Sequence, residues 1–162
     1  MTAIVWFRRD LRLTANPALS AAIESGDPVV AVFILDPEGH SLAGAAVRLW
    51  LHHSLGSLRE SLLNIGIDLV VKRGKATTVL NELIGGLKAN AIYWNREYEP
   101  ASIVESNAVK LELGDIVRCK SFNARLLVEP LHLKNKSGNP FRVFTPFWKQ
   151  LRQPVPVYPL PR

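Results

Sequence analysis

Residues 6–13 read WFRRDLRL, and Asn16-Pro17-Ala18-Leu19 follows shortly afterwards. The apolar run at residues 3–7, which leads into this stretch, has the composition of a buried strand. Three arginines and one aspartate then fall within five positions, a charge density that packing alone does not need. At the carboxyl end of a parallel strand, such a loop faces the crevice where open α/β sheets bind ligands. The stretch therefore predicts a first strand and a candidate binding loop behind it.

Strand and helix signals alternate along the next hundred residues. Predicted strands cover residues 3–7, 29–35, 69–72, 91–94 and 116–120. Predicted helices begin at Pro17 behind an Asn16 cap, at Ala45, at Thr77 or Thr78 and at Pro100, and they end near Gly26, Ile65, Leu87 and Leu113. Right-handed crossovers then predict a Rossmann-like α/β fold: a doubly wound five-stranded parallel sheet of order 3-2-1-4-5, with helices on both faces.

The regular alternation stops after residue 120, and the charge changes in the same region. Residues 1–117 carry 11 basic and 13 acidic side chains, whereas residues 118–162 carry 9 basic and 1 acidic. A turn is predicted over residues 135–139, followed by a helix from Pro146 to about Gln153 capped by Thr145. Four prolines between 154 and 161 indicate a semi-rigid linker. We therefore expect an α/β domain over 1–130 and a basic, Pro-rich extension over 131–162.

The composition, with 48% hydrophobic and 21% charged residues, is that of a globular protein. No apolar run approaches the roughly 20 residues that cross a bilayer, and the basic-then-apolar order of a secretory signal is reversed at the N-terminus. We expect a cytoplasmic chain without a membrane partner. The single cysteine, Cys119, predicts no internal disulfide and no metal-ligand spacing.

Common catalytic and phosphate-binding signatures are missing from the sequence. It contains no Gly-x-Gly-x-x-Gly after the first strand, no Gly-x-x-x-x-Gly-Lys-Ser/Thr and no Gly-x-Ser-x-Gly. No nucleophile–base pair and no metal site emerge. The four tryptophans lie where strands and helices need large apolar residues, so we predict that all four belong to the core: Trp6, Trp50, Trp94 and Trp148.

Several segments, taken together in their order and spacing, resemble the DNA photolyase and cryptochrome family. They are WFRRDLRL with Asn16-Pro17-Ala18-Leu19, Leu35-Asp36-Pro37, Trp94-Asn95 with Tyr98-Glu99-Pro100, and Phe141 with Phe144-Thr145-Pro146-Phe147-Trp148-Lys149. The resemblance spans nearly the whole chain. It implies the N-terminal α/β domain of a class I type deoxyribodipyrimidine photolyase, which docks an antenna chromophore.

In that family, FAD, the tryptophan relay and most of the DNA-binding face belong to a helical domain that follows the α/β domain. The resemblance therefore implies a light-harvesting domain whose partner is a helical FAD-binding domain absent from this chain. Through that partner, the full-length enzyme would repair pyrimidine dimers in UV-damaged DNA. The enzymes of this family are carbon-carbon lyases. The isolated chain, however, is expected not to repair DNA.

The antenna chromophore of such proteins is a deazaflavin, a flavin nucleotide or a methenyl folate held near the carboxyl ends of the strands. Candidate chromophore-binding residues are Arg8, Asp10, Leu35, Asp36, Arg48 and Glu99. Leu35 would form apolar wall, and the charged residues would hold polar ring edges or the tail. Two features depart from the family: Ala15 replaces an aspartate, and the Asn-Glu pair of folate binders is missing behind Pro100. These departures favour a deazaflavin or flavin over folate.

Two other functions remain open at this level. One is a small adenine-nucleotide-binding domain of similar architecture, although the Trp94-Asn95-Arg96-Glu97 segment lacks the glycine of a phosphate loop. The other is a cryptochrome-like interaction module that binds a partner through its basic C-terminal segment.

Overall fold

The computed structural model describes residues 1–36, 44–135 and 137–152. The chain forms two compact units, the first of which comprises residues 1–124. Its elements are β1 (Thr2–Phe7), α1 (Pro17–Glu24), β2 (Val29–Leu35), α2 (Ala45–Leu63), β3 (Asp68–Arg73), α3 (Ala76–Leu87), β4 (Ala89–Asn95), α4 (Pro100–Leu113) and β5 (Arg118–Phe122).

The five strands form one parallel sheet of order β3-β2-β1-β4-β5, which confirms the predicted topology. The strand order reverses between β1 and β4, the position at which doubly wound sheets bind ligands. Phe7 of β1 pairs with Phe33 of β2, and Trp6 pairs with Trp94 of β4. The carboxyl ends of these three strands therefore lie side by side.

Alternate residues of β1 supply two separate cores, one on each face of the sheet. Ala3, Val5 and Phe7 pack with α1 and α2, whereas Ile4 and Trp6 pack with α3 and α4. A strand covered on both faces is apolar at every position, which explains the uninterrupted run that begins the chain.

The first helix begins as predicted. The Asn16 side chain accepts a hydrogen bond from the Leu19 amide at 3.1 Å, Pro17 occupies the first turn, and Gly26 follows the helix with a φ of 75°. An N-cap amide and a proline at the first position are typical helix-start signals.

Several predicted boundaries of the first unit are wrong by one or two residues; β4, for example, begins at Ala89 instead of Ala91, and β5 ends at Phe122 instead of Lys120. Helix α3 begins at Ala76 after Lys75, so neither Thr77 nor Thr78 starts it. Strand β5 begins at Arg118 instead of Ile116, because the amides of Ile116 and Val117 still donate to the Leu113 carbonyl at the end of α4. Cys119 lies in β5 as expected and packs against the core on the α3–α4 face.

The tryptophan prediction is correct for two residues and wrong for two. Trp6 and Trp94 are buried, with their ring centroids 5.9 Å apart. Trp50, however, is 64% exposed, because α2 buries Leu58 and Leu62 in its second half while every residue from Ala45 to Trp50 is exposed. Trp148 is 45% exposed and stacks on Phe144 within its own helix.

The second unit begins at Arg125 and is described to Arg152 apart from residue 136. It contains a 3-10 turn at Pro130–His132 and the helix α5 (Phe144–Leu151). Val143 precedes α5, so the predicted Thr145 cap is wrong. The Asn135 side chain accepts from the amides of Ser137 and Asn139, which confirms the predicted turn. The proline run at 154–161 lies outside the described residues.

Among the described residues, no helix combines the length and the apolar character that are needed to cross a bilayer.

Candidate functional site

A cavity of about 780 Å³ opens at the carboxyl ends of β1, β2 and β4. One wall is apolar and comes from β1, from β2 and from the first half of α2: Trp6, Phe7, Phe33, Leu35, Trp50 and Leu51. A second wall is polar and comes from the loops after β1 and β4 and from α4: Arg8, Arg9, Glu97, Glu99, Ser102 and Glu105. A largely apolar cleft with a few convergent polar groups is the usual form of a small-molecule site.

The loop after β1 is fixed by three buried side chains, which we call the asparagine cluster: Asp10, Asn16 and Asn95. Asn95, at the end of β4, donates to Asp10 at 2.5 Å and to Asn16 at 2.7 Å. Its carbonyl oxygen accepts from the Ala18 amide, while Asp10 also accepts from the Arg8 amide at 3.0 Å. The cluster therefore ties the candidate binding loop to β4 and to the start of α1.

Arg8 leaves this loop in the opposite direction and enters the polar wall. Its guanidinium lies 4.6 Å from the centre of the Trp6 ring and donates to the Ser106 hydroxyl at 2.8 Å. It also pairs with Glu105 and lies 3.5 Å from Glu97. With a side chain only 7% exposed, Arg8 is held in one position by a cation–π contact and several hydrogen bonds.

Arg9 occupies the solvent side of the same wall. It pairs with Glu99, and its Nε atom lies 3.9 Å from Glu97 Oε1. The Arg9 and Glu99 side chains are 39% and 55% exposed, so this pair is far more open to water than Arg8. We call these five charged residues the ionic wall: Arg8, Arg9, Glu97, Glu99 and Glu105.

Glu97 is one of three members of the ionic wall that the sequence analysis missed, the others being Arg9 and Glu105. Its side chain is 7% exposed, and one carboxylate oxygen accepts from the Ser102 hydroxyl at 2.8 Å. The other oxygen has no hydrogen-bond partner among the described residues. A signal was present in the sequence, because Ser102 and Ser106 lie on the buried stripe of α4 together with Val109 and Leu113. Two serines on a buried helical stripe indicate a polar partner nearby.

Glu105 is affected by two opposing influences. Burial is the largest single cause and raises the pKa of Glu105 above its ordinary value of 4.5, the nearby Asp36 and Glu97 carboxylates add to the rise, and the adjacent Arg8 guanidinium opposes it. A partly buried carboxyl with a displaced pKa beside a cavity is a recurring property of binding sites.

Comparisons with known proteins identify the family of the chain. Residues 3–161 match the DNA photolyase family. The chain belongs to that family. A deoxyribodipyrimidine photo-lyase of Agrobacterium fabrum is 46% identical over 149 residues, covering 91% of this chain and 31% of its own length. Cryptochrome-1 of Arabidopsis thaliana is 40% identical, covering 91% of this chain and 22% of its own length.

Solved structures place the fold in the same family. A bacterial class III photolyase from Agrobacterium tumefaciens superposes with a TM-score of 0.85 at 44% identity, covering 95% of this chain and 32% of the other. An archaeal photolyase from Sulfolobus tokodaii, described with two FAD molecules and a novel light-harvesting cofactor, superposes at 0.72 with 30% identity, covering 93% of this chain and 34% of the other. The chain thus spans about a third or less of the length of these photolyases and cryptochromes.

Within this photolyase-family domain, the cavity brings together four of the six candidate chromophore-binding residues. Arg8, Leu35, Asp36 and Glu99 line it. Asp10 and Arg48 are not among the lining residues: Asp10 is buried in the asparagine cluster, and Arg48 is exposed on α2. At that part of α2 the cavity is lined by Val47, Trp50 and Leu51 instead. Chromophore binding by the six residues stays a prediction.

Among the described residues, no group of three His, Cys, Asp or Glu side chains is arranged to hold a metal ion.

Proposed function

We propose that residues 1–124 form a light-harvesting domain that holds an antenna chromophore in the cavity at the carboxyl ends of β1, β2 and β4. The observation that carries the proposal is the pairing of an apolar wall with an ionic wall around a space of about 780 Å³. A planar conjugated ring needs apolar contacts on its faces and polar contacts at its edges. The two walls supply both.

Each wall has a separate task in this proposal. Phe33, Leu35 and Trp50 would contact the ring faces and exclude water, while the ionic wall would orient the ring edge. A rigid, dry site holds a chromophore in one orientation, which efficient transfer of excitation energy to a second chromophore requires. A deazaflavin or a flavin nucleotide is the expected ligand, and a methenyl folate is the alternative.

Repair chemistry belongs to a larger assembly in this proposal. As the family resemblance implies, a helical domain binds FAD, and reduced FAD passes an electron to a pyrimidine dimer in UV-damaged DNA. The domain described here would collect light for that reaction and would not itself act on the lesion.

A retention experiment tests the proposal. The purified chain is incubated separately with a deazaflavin, a methenyl folate and FMN, each sample is desalted, and absorption and fluorescence are recorded. We expect one chromophore to be retained at near one equivalent. Retention of none of the three would contradict an autonomous antenna domain.

A matched pair of substitutions on one helix locates the bound ring. Ala101→Trp places an indole at an exposed position that lines the cavity, whereas Leu111→Trp places one at an exposed position of α4 outside the lining. We expect Ala101→Trp to abolish retention and Leu111→Trp to leave it unchanged. Equal retention by both variants would show that the ring binds elsewhere.

A second candidate function rests on the charge of the C-terminal segment. Residues 118–162 carry 9 basic side chains and 1 acidic side chain, which suits a polyanion. Fluorescence anisotropy with duplex DNA tests this candidate. The measurement is made at about 50 mM and about 200 mM salt, because binding through ionic contacts weakens strongly over that range. Binding that weakens steeply with salt would support an interaction module, and no binding at the lower salt would remove it.

A further inference from the structure

One carboxylate oxygen of Glu97, a residue that lines the cavity, is buried without a hydrogen-bond donor among the described residues. Oε2 accepts from Ser102 and lies 3.5 Å from Arg8, whereas Oε1 is shielded from solvent and finds no hydrogen-bond partner in the part of the chain that the structure describes. A buried carboxylate oxygen without a donor is unfavourable, and few such atoms occur in native proteins. Because Glu97 lines the cavity, a bound molecule is the natural source of the missing donor.

The charges around this oxygen indicate which kind of ligand edge fits. Three cations line the cavity, namely Arg8, Arg9 and Lys75, together with four carboxylates: Asp36, Glu97, Glu99 and Glu105. Arg8 is already engaged by Ser106, Glu97 and Glu105, and Arg9 by Glu99. A phosphate group beside Glu97 would face like charges. A neutral group that donates a proton would not.

Arg9 supplies the second half of the recognition pattern. Its Nε atom lies 3.9 Å from Glu97 Oε1, beyond hydrogen-bond distance, and its side chain is 39% exposed. A rotation of this exposed side chain would uncover Oε1 and leave a guanidinium N–H beside it. An acceptor next to a donor is complementary to a ring edge that carries an N–H next to a carbonyl group.

We propose that Glu97 is the specificity-determining residue of the cavity, accepting the N–H of a lactam or imide edge of a planar fused heteroaromatic ring while Arg9 donates to the adjacent ring carbonyl. The inference rests on the proposed function, because it specifies the chemistry of the ligand in the same cavity. It places any phosphate tail away from the ionic wall, towards the mouth of the cavity.

The test uses two probes that differ only by a methyl group on one ring nitrogen. Lumiflavin carries a single N–H, on its imide nitrogen, and 3-methyllumiflavin carries none. Affinity is measured by quenching of probe fluorescence with the full chain and with two variants, Glu97→Gln and Glu60→Gln. Glu60 is an exposed glutamate of α2 that does not line the cavity. Circular dichroism verifies that both variants fold.

We expect the full chain to bind lumiflavin about tenfold or more tightly than 3-methyllumiflavin, since a hydrogen bond to a charged acceptor is lost in the methylated probe. Glu97→Gln should reduce the ratio several-fold by weakening lumiflavin alone, because a neutral amide oxygen is a weaker acceptor than a carboxylate, and Glu60→Gln should keep the full ratio.

Equal binding of the two probes by the full chain would overturn the role of Glu97 while leaving the antenna proposal intact. The same holds if the chain retains one of the three chromophores of the retention experiment but does not bind lumiflavin. A ratio that is unchanged in Glu97→Gln would likewise assign the N–H to another acceptor. Failure to bind any of these rings would overturn both proposals.

Discussion

The asparagine cluster and the ionic wall are built from neighbouring residues but differ in how completely their polar groups are satisfied. Asp10 and Asn95 in the cluster lie two positions from Arg8 and Glu97 in the wall. In the cluster, both polar atoms of the Asn95 side chain have partners inside the protein. In the wall, no described residue donates a hydrogen bond to one oxygen of Glu97, which lies at the edge of a cavity.

This difference separates two roles within one signature sequence. Buried polar groups that are fully paired specify a loop conformation, whereas incompletely paired groups beside a cavity are available to a ligand. The comparison implies that changes in the asparagine cluster lower the stability of the fold, whereas changes around the cavity lower chromophore affinity. The predictions below test that division.

The largest expected effect belongs to Asn95→Leu. The leucine removes three hydrogen bonds and leaves Asp10 and Asn16 buried without their partner. We expect the free energy of unfolding to fall by about 3 kcal/mol or more, because a buried carboxylate loses a donor. Urea denaturation followed by circular dichroism measures the change.

The control for this prediction is Asn81→Leu, at an exposed position of α3. We expect that variant to change the free energy of unfolding by no more than about 0.5 kcal/mol. If Asn95→Leu were as mild as the control, the asparagine cluster would not be what fixes the loop.

Trp50→Ala should show the opposite behaviour. Trp50 is 64% exposed and lines the cavity, so its loss removes little buried area but takes away part of the apolar wall. We expect about a tenfold loss of chromophore affinity, equivalent to about 1.4 kcal/mol, with an almost unchanged urea midpoint. Trp148→Ala, which alters an exposed tryptophan of the second unit, should leave the affinity unchanged. Equal losses in both variants would contradict a contact specific to Trp50.

Glu105→Gln provides a smaller test based on pH. The raised pKa of Glu105 means that the folded chain holds a proton that the unfolded chain has already released. The folded state therefore binds more protons between about 4.5 and the raised pKa, and this term makes the free energy of unfolding fall as the pH rises through that window. Glutamine does not titrate and removes this term. The free energy of unfolding, measured by urea denaturation at several pH values across the window, should therefore fall less steeply with pH in the variant than in the parent chain.

A second carboxyl on the same helix serves as the control for the pH test. Glu112 is 48% exposed, and Glu112→Gln should keep the decline of the parent chain. Indistinguishable profiles for the parent chain and Glu105→Gln would mean that ionisation of Glu105 does not contribute to the stability of the fold.

The sequence was sufficient to predict the sheet and the position of the cavity, because both depend on local patterns. Uninterrupted apolar strands, the Asn16-Pro17 helix start and the alternation of elements leave few arrangements of a parallel sheet. The strand order then determines where it reverses, and hence where a ligand-binding crevice lies.

The individual side chains of the site could not be predicted in the same way, because their contacts join distant parts of the chain. Arg8 meets Ser106 and Glu105 from α4 almost a hundred residues away. Neither the role of Asp10 in a buried network nor the unpaired oxygen of Glu97 follows from spacing along the sequence. Trp50 was assigned to the core for a related reason: helical periodicity identifies a face of α2 without showing how far along it the sheet extends.

Arg48→Ala carries the smallest expected effect and shows where the binding surface of α2 ends. The sequence predicts that this change weakens chromophore retention, yet Arg48 is exposed and lies outside the residues that line the cavity. Two residues close to it in the sequence, Val47 and Trp50, do line the cavity. The arginine therefore lies next to the site but outside its lining.

An exposed charge such as that of Arg48 acts on a ligand through solvent, where screening limits its contribution. We therefore expect less than a threefold loss of affinity, of the order of a solvent-exposed ion pair, and an effect that disappears at high salt. A tenfold loss that persists at high salt would instead place Arg48 in direct contact with the chromophore and extend the ionic wall to α2.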